Sequence, residues 1–324
     1  MRVLIAILVI FLATENTAGQ SNSSSIYRFL EVTPTAGISG LGGSHVGYFN
    51  GDYSLSHLNP AYFGSYEGMA VSGSYINFLG EANMGFSSFK FDNKEWGVIS
   101  VGVRYVSYGE FEFLDTEGVE YGTFRAGDLA LSGAYRQRVF TNLTVGAEIG
   151  FIHSTYADVR SSGISLAGGL FYREPDNNFS AGLSVRNLGS QLSSYAGTRE
   201  PLPLNISAGF SKKPESFPFL ITLTLNELND WNRELYSDET EPSFFDHLMR
   251  HTIVGGEVDM GETVTLRLGY DHHLHELTKS SKNFDLAGLA FGVGVNIGDL
   301  TFDISRNSYS DLGGLTRISL KTKF

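Results

Sequence analysis

The sequence predicts an all-β fold: a transmembrane antiparallel β-barrel of about 14 strands. Three observations predict it. The chain ends in Gly314-Leu315-Thr316-Arg317-Ile318-Ser319-Leu320-Lys321-Thr322-Lys323-Phe324, where Ile318, Leu320, Thr322 and Phe324 share one face and Arg317, Ser319, Lys321 and Lys323 the other. That is the period of two that a strand imposes, and an aromatic residue closes the apolar face. Similar alternating segments recur from residue 68 onward. The mean hydropathy is near zero, too low for a bundle of membrane helices and suited to a barrel in which half of each strand is polar.

The strands can be placed in order. The alternation supports segments at 68–79, 81–91, 95–108, 126–139, 143–156, 160–173, 178–188, 203–213, 217–228, 249–259, 263–275, 284–297, 299–308 and 315–324. In the fifth, Leu143, Val145, Ala147, Ile149 and Phe151 oppose Thr144, Gly146, Glu148 and Gly150. In the eleventh, Val264, Leu266, Leu268 and Tyr270 oppose Thr265, Arg267 and Asp271. Connections after even-numbered strands are short, such as Asp92-Asn93-Lys94 and Met260-Gly261-Glu262. Several after odd-numbered strands are long: 109–125, 189–202, 229–248 and 276–283. Barrels of bacterial outer membranes pair short periplasmic turns with longer external loops. The parity therefore places both ends of the barrel segment in the periplasm.

The first 67 residues read differently. Arg2 and an apolar run from Val3 to Leu12, followed by Ala13-Thr14-Glu15-Asn16-Thr17-Ala18-Gly19, predict a cleaved signal peptide over 1–19. No later run is long enough for a membrane helix. Residues 20–67 are rich in glycine and lack steady alternation, and they are expected to form a plug or hatch tucked into the barrel of residues 68–324. Absence of cysteine excludes disulfides and a cysteine-linked lipid anchor. A net charge of −12 argues against nucleic acid as a partner.

If the apolar faces meet lipid, the opposite faces line a lumen that carries Arg104, Arg136, Glu148, Arg186, Glu257, Arg267, Asp271 and Asp303, with His251. Charges of both signs in a confined space are expected to pair, because an unpaired buried charge is costly. This interior reads as packed and structural rather than as an apolar tunnel.

Three motifs in series carry a family resemblance. Gly40-Leu41-Gly42-Gly43 leads to Leu58-Asn59-Pro60-Ala61, resembling the FadL-type outer-membrane barrels, which have 14 strands and an N-terminal plug. Next come Tyr105-Val106-Ser107-Tyr108-Gly109-Glu110-Phe111 and Gly122-Thr123-Phe124-Arg125-Ala126-Gly127-Asp128, then Val185-Arg186-Asn187-Leu188-Gly189 with Leu202-Pro203-Leu204. In this order and length the chain resembles the PorQ family of the type IX secretion system. The resemblance implies a non-enzymatic barrel in the outer membrane of a Gram-negative bacterium. Such a barrel would hold a PorZ-like surface protein, in one complex with a PorU-like sortase and a PorV-like barrel. The alternative is a FadL-type channel for hydrophobic solutes.

The external loops supply the candidate docking residues: Tyr121, Arg199, Trp231, Tyr236, Phe244 and Phe245, since Trp and Tyr dominate binding hot spots. Enzymatic readings are weaker. Ser87-Ser88-Phe89-Lys90 matches a Ser-x-x-Lys acylation motif, but that motif works on a helix, where i and i+3 share a face. Asp271, His272 and Ser310 could meet at the rim only if the loops converge. His247, His251, His272, His273 and His275 gather near one rim without the spacing of a known zinc motif, so neither a metal nor a cofactor is expected.

Overall fold

A computed structural model describes residues 25–49, 54–62, 68–78, 80–93, 97–232, 242–280, 285–310 and 313–324. The expected signal peptide, 1–19, lies outside the described residues. Fourteen strands close on themselves in sequence order, each antiparallel to its neighbours. They are β1 Ala70–Asn77, β2 Asn83–Asn93, β3 Gly97–Leu114, β4 Glu120–Phe140, β5 Leu143–Tyr156, β6 Val159–Glu174 and β7 Phe179–Ser193. The remainder are β8 Asn205–Lys212, β9 Phe219–Leu225, β10 Thr252–Met260, β11 Val264–Asp271, β12 Leu289–Ile297, β13 Leu300–Ser308 and β14 Gly314–Lys323. β1 pairs with β14 from Ala70↔Lys323 to Asn77↔Thr316, which leaves no edge through the wall.

Alternation decides the two faces. Val101, Leu131, Phe151, Leu183, Ile221, Leu268, Phe291 and Leu320 are exposed on the outside, forming an apolar surface suited to lipid. Their neighbours Ser100, Ser184, Thr222, Arg267 and Ser319 are buried inside. No helix among the described residues is long and apolar enough to cross a membrane, and the strands are what can cross it.

Several expected boundaries differ, with β7 running on to Ser193 and β12 starting only at Leu289. The segment 109–125 is not a loop: β3 and β4 run through it as one tall hairpin of 18 and 21 residues per strand. Asp115 closes its tip by accepting from the N–H groups of Glu117 and Val119. The end of the expected loop 229–248 winds into helix α2, Phe244–Arg250, and residues 272–275 leave the sheet for helix α3, His272–Thr278. Helix α1, Ala36–Ser39, belongs to the N-terminal segment.

The described residues of that segment, 25–49 and 54–62, pack against the inward face of the wall. Ile38, Leu41, Tyr48, Leu55, Leu58, Ala61 and Tyr62 are buried together with the inward-facing Phe171 of β6 and Leu220 of β9. Its backbone rests directly on glycines of the wall. A Cβ at Gly146 would meet the carbonyl of Pro60, one at Gly182 the carbonyl of Val46, and one at Gly269 the backbone of Leu41 and Gly42. At Gly255 it would stand 2.7 Å from the Leu41 carbonyl oxygen, and at Gly292 3.0 Å from the Cα of Gly40. No side chain fits where two backbones touch, which is why these wall positions are glycine.

The glycine pair Gly168-Gly169 in β6 separates seat from wall. A Cβ at Gly169 would fall on the Asn59 carboxamide oxygen, whereas one at Gly168 meets nothing within 4 Å. Gly169→Ala is expected to destabilise the folded barrel by about 1–3 kcal/mol through overpacking, while Gly168→Ala leaves it unchanged or slightly firmer. The urea midpoint of each variant in lipid vesicles checks this. Equal midpoints for the two would refute the seat.

Candidate functional site

The interior is built from two charged clusters, an apolar cluster and the inner segment that joins them. In the first cluster Arg267 of β11 donates from Nε to Glu257 Oε2 at 2.6 Å and from Nη1 to Asp303 Oδ1 at 2.7 Å. Lys321 Nζ stands 2.9 Å from Asp303 Oδ2. Adjacent strands β10 and β11 set Glu257 opposite Arg267 in register, and Asp303 and Lys321 come from β13 and β14, beyond the intervening β12. The inner segment joins this quartet, because the Tyr48 hydroxyl donates to Glu257 at 2.7 Å. Each charge thus has an opposite partner, as burial demands.

The second cluster sets the carboxylate of Glu148 against the charges of Arg104 and Arg186. Arg104 also donates to the carbonyls of Phe29 and Leu30, at 3.2 and 2.8 Å. A third guanidinium, Arg317 of β14, donates to the Thr33 carbonyl and to Asn307. Wall side chains therefore satisfy the backbone of the inner segment. Ser180 and Ser211 both donate to the Gly47 carbonyl, and Ser184 donates to that of Leu58.

Of the eight expected lumen charges, six fall into these clusters. Arg136 stands apart on β4, facing Asp92. Asp271 is a correction. It sits at the rim end of β11 and accepts from the Leu274 N–H, capping α3. An aspartate at a strand-to-helix junction satisfies an orphan helix donor there. Lys321, Arg317, Tyr48, His45 and Asn59 complete the interior, of which Tyr48 and His45 carry no signal in the sequence. The two β14 cations were legible in their alternation with Ile318 and Leu320, whereas the inner segment has no period to read.

Above the charges lies an apolar cluster. Tyr27 and Phe29 of the inner segment pack with Ile76, Met84, Val106, Ile152 and Leu202. Over it a bulge between Ser107 and Glu110 slips the β3–β4 register by one residue. The slip turns Phe111 and Phe113 to the same face as Ala126 and Tyr156, toward the barrel mouth. Phe111 stacks on Phe124 at 5.2 Å, Phe113 on Tyr121 at 5.6 Å, and Phe124 meets Tyr156 edge-on at 5.1 Å.

The expected docking residues separate. Tyr121 belongs to this ladder, and Arg199 is exposed on the segment between β7 and β8. Trp231 stacks on His251 at 5.1 Å and meets Phe244 at 5.6 Å. Phe244 and Phe245 project from α2 and are 70% and 65% exposed. Tyr236 lies outside the described residues.

Groups considered for catalysis do not converge. Ser87 and Lys90 point to opposite faces of β2, with Lys90 buried toward Asp92. Asp271 caps α3, and the Ser310 hydroxyl serves Asp285 instead. His251 bonds the Asn226 carbonyl, His272 the Tyr270 hydroxyl and His275 the Ala287 carbonyl. Among the described residues no group of three His, Asp or Glu side chains is arranged to hold a metal ion.

No model of a known protein family matches the sequence, and no curated protein is significantly similar to it. Solved structures do match. The toluene transporter TodX of Pseudomonas putida aligns with a TM-score of 0.58 at 13% identity, over 91% of this chain and 99% of that one. The toluene transporter TbuX of Ralstonia pickettii gives 0.56 at 15% identity, over 91% and 99%. A FadL homologue of Pseudomonas aeruginosa gives 0.51 at 12%, over 90% and 98%. The fold is that of the FadL-type outer-membrane barrels. At these identities the likeness extends to the fold and no further.

Two predictions follow from the geometry. Asp303→Asn leaves Arg267 and Lys321 with one buried carboxylate between them, at an expected cost of about 3–5 kcal/mol. Unfolding in urea measures it, and a loss under about 1 kcal/mol would contradict the paired network. At the rim, hydrogen bonds from Ser243, first its hydroxyl and then its N–H, hold the Asp246 carboxyl below its ordinary value. That capping box is fully present above the ordinary carboxylate pKa and is lost as pH falls through the depressed folded value. Amide exchange in α2 should therefore quicken only in strong acid, and an onset above pH 5 would contradict the assignment.

Proposed function

We propose that this chain is an outer-membrane barrel that admits apolar, aromatic-sized solutes from outside. The observation that carries the reading is the likeness, over nearly the whole of both chains, to barrels described as toluene transporters. The residues offer a route compatible with it. A solute would meet the ladder of Phe111, Phe113, Tyr121 and Phe124 at the mouth, then the apolar cluster around Tyr27, Phe29, Met84 and Ile152. Apolar surface leading into a polar-walled barrel favours partitioning of an apolar molecule over an ion. Beyond that cluster the inner segment occupies the lumen as a plug, so passage requires it to shift. Each wall hydrogen bond to its backbone is worth about 0.5–1.5 kcal/mol net where the donor is a serine and about 1.5–3 kcal/mol where it is a guanidinium, so a shift costs least at the serine contacts.

A second reading is an anchor in a type IX secretion attachment complex, holding a PorZ-like protein beside a PorU-like sortase and a PorV-like barrel. The exposure of Phe244 and Phe245 favours it, as does the PorQ-like motif series. Two neighbouring phenylalanines on a capped helix form a ready hot spot for a protein partner.

Radiolabelled toluene uptake into proteoliposomes separates the two. The solute reading predicts uptake several-fold faster than in empty liposomes, slowed by Phe111→Asp. Rates equal to empty liposomes would contradict it. The anchor reading predicts instead that a PorZ-like protein co-purifies and is lost with Phe244→Ser/Phe245→Ser.

A further inference from the structure

The tall β3–β4 hairpin carries strand edges that, among the described residues, no other strand covers. β2 follows β3 only as far as Ser107, and β5 follows β4 only as far as Ala126. Beyond these points Glu110–Leu114 and Glu120–Phe124 pair with each other and, among the described residues, with no third strand. A barrel removes its edges by closing, and here the wall does close while the hairpin above it does not. Edge strands offer a row of unused N–H and C=O groups to any extended chain.

The β3 edge has two chemically different faces. Phe111 and Phe113 lie on the mouth side within the aromatic ladder, and Glu110 and Glu112 lie on the other side, both exposed. Residues 109–125 hold five acids, Glu110, Glu112, Asp115, Glu117 and Glu120, against one base, Arg125. Arg125 is engaged by Glu110 at 3.0 Å, which leaves the hairpin strongly acidic. The ladder also stiffens the hairpin, so an incoming strand meets a preformed template rather than a loop that must first be ordered.

We propose that the Glu110–Leu114 edge of β3 binds a second polypeptide by strand addition. The segment it fits is extended and alternates apolar with basic residues. Its apolar side chains would extend the Phe111–Phe113 face, and its Lys or Arg side chains would oppose Glu110 and Glu112 across the new strand pair. Main-chain hydrogen bonds would supply affinity and the alternation would supply register. This interface stands on the hairpin alone and does not depend on the solute or the anchor reading.

The test uses the full chain in detergent and a fluorescent peptide of alternating lysine and valine. A second peptide of the same sequence carries N-methyl groups on alternate residues, which removes the N–H groups a strand pair needs. Strand addition predicts that the unmethylated peptide binds at least about tenfold more tightly, because the ladder bonds are lost in the other. It predicts protection of Glu110–Leu114 amides from hydrogen exchange, and weakening of about tenfold in Glu110→Lys/Glu112→Lys. Retained heat-modifiable migration in gels shows that the variant barrel is folded. Equal binding of the two peptides overturns the proposal, because the attraction would then be charge alone. So does binding that leaves the Glu110–Leu114 amides unprotected, and so does no binding of the unmethylated peptide.

Discussion

The structure depends on contact between two backbones. The inner segment touches the barrel wall at glycines, where Leu41 lies on Gly255 and Gly269, Val46 on Gly182 and Pro60 on Gly146. A backbone brought this close carries polar groups away from water, and each must be paired or cost a few kcal/mol. The wall supplies the partners from inward-facing side chains around the barrel. Ser180, Ser184, Ser211, Arg104 and Arg317 all donate to carbonyls of the segment. Glycine makes the room, and serine and arginine use it. A lumen lined this way is specific for one polypeptide path, since a shift of one residue would set Cβ atoms against carbonyls.

The buried charges serve the same end. Glu257, Arg267, Asp303 and Lys321 neutralise one another across four strands, and Tyr48 reaches into the group from the inner segment. An ion pair of this kind adds little net stability over apolar packing, but it penalises any arrangement that leaves one member alone. Together the quartet and the glycine seats fix the segment laterally, while the apolar cluster around Phe29 and Met84 fixes it toward the mouth. The aromatic ladder, the exposed phenylalanines of α2 and the open strand edges all lie at one end of the barrel.

Much of the wall was legible in the sequence, because lipid outside and polarity inside imprint a period of two on every strand. Ile318, Leu320 and Arg317 were assigned to their faces from that period alone. The hairpin was not: Glu110-Phe111-Glu112-Phe113 alternates, but it stands beyond the closed wall, after a bulge that breaks the period at Ser107. Asp271 alternates correctly with Arg267, yet the helix that follows converts it into a cap. The inner segment has no period because its partners come from strands all around the barrel. Its traces in the sequence were its own glycine richness and the Gly40-Leu41-Gly42-Gly43 and Leu58-Asn59-Pro60-Ala61 motifs, while its seats are wall glycines such as Gly169 and Gly182.

The most direct test uses the absence of native cysteine. Ser39 of α1 donates to Asn307 of β13 at 2.5 Å, so Ser39→Cys/Asn307→Cys places two thiols on residues that face each other across the seat. In native membranes the account predicts near-complete disulfide formation between these positions under mild oxidant. It predicts none for Ser39→Cys/Phe302→Cys, whose second thiol faces outward on the same strand. A folded barrel in which the first pair stays reduced, or in which both pairs form equally, would contradict an inner segment seated on the wall.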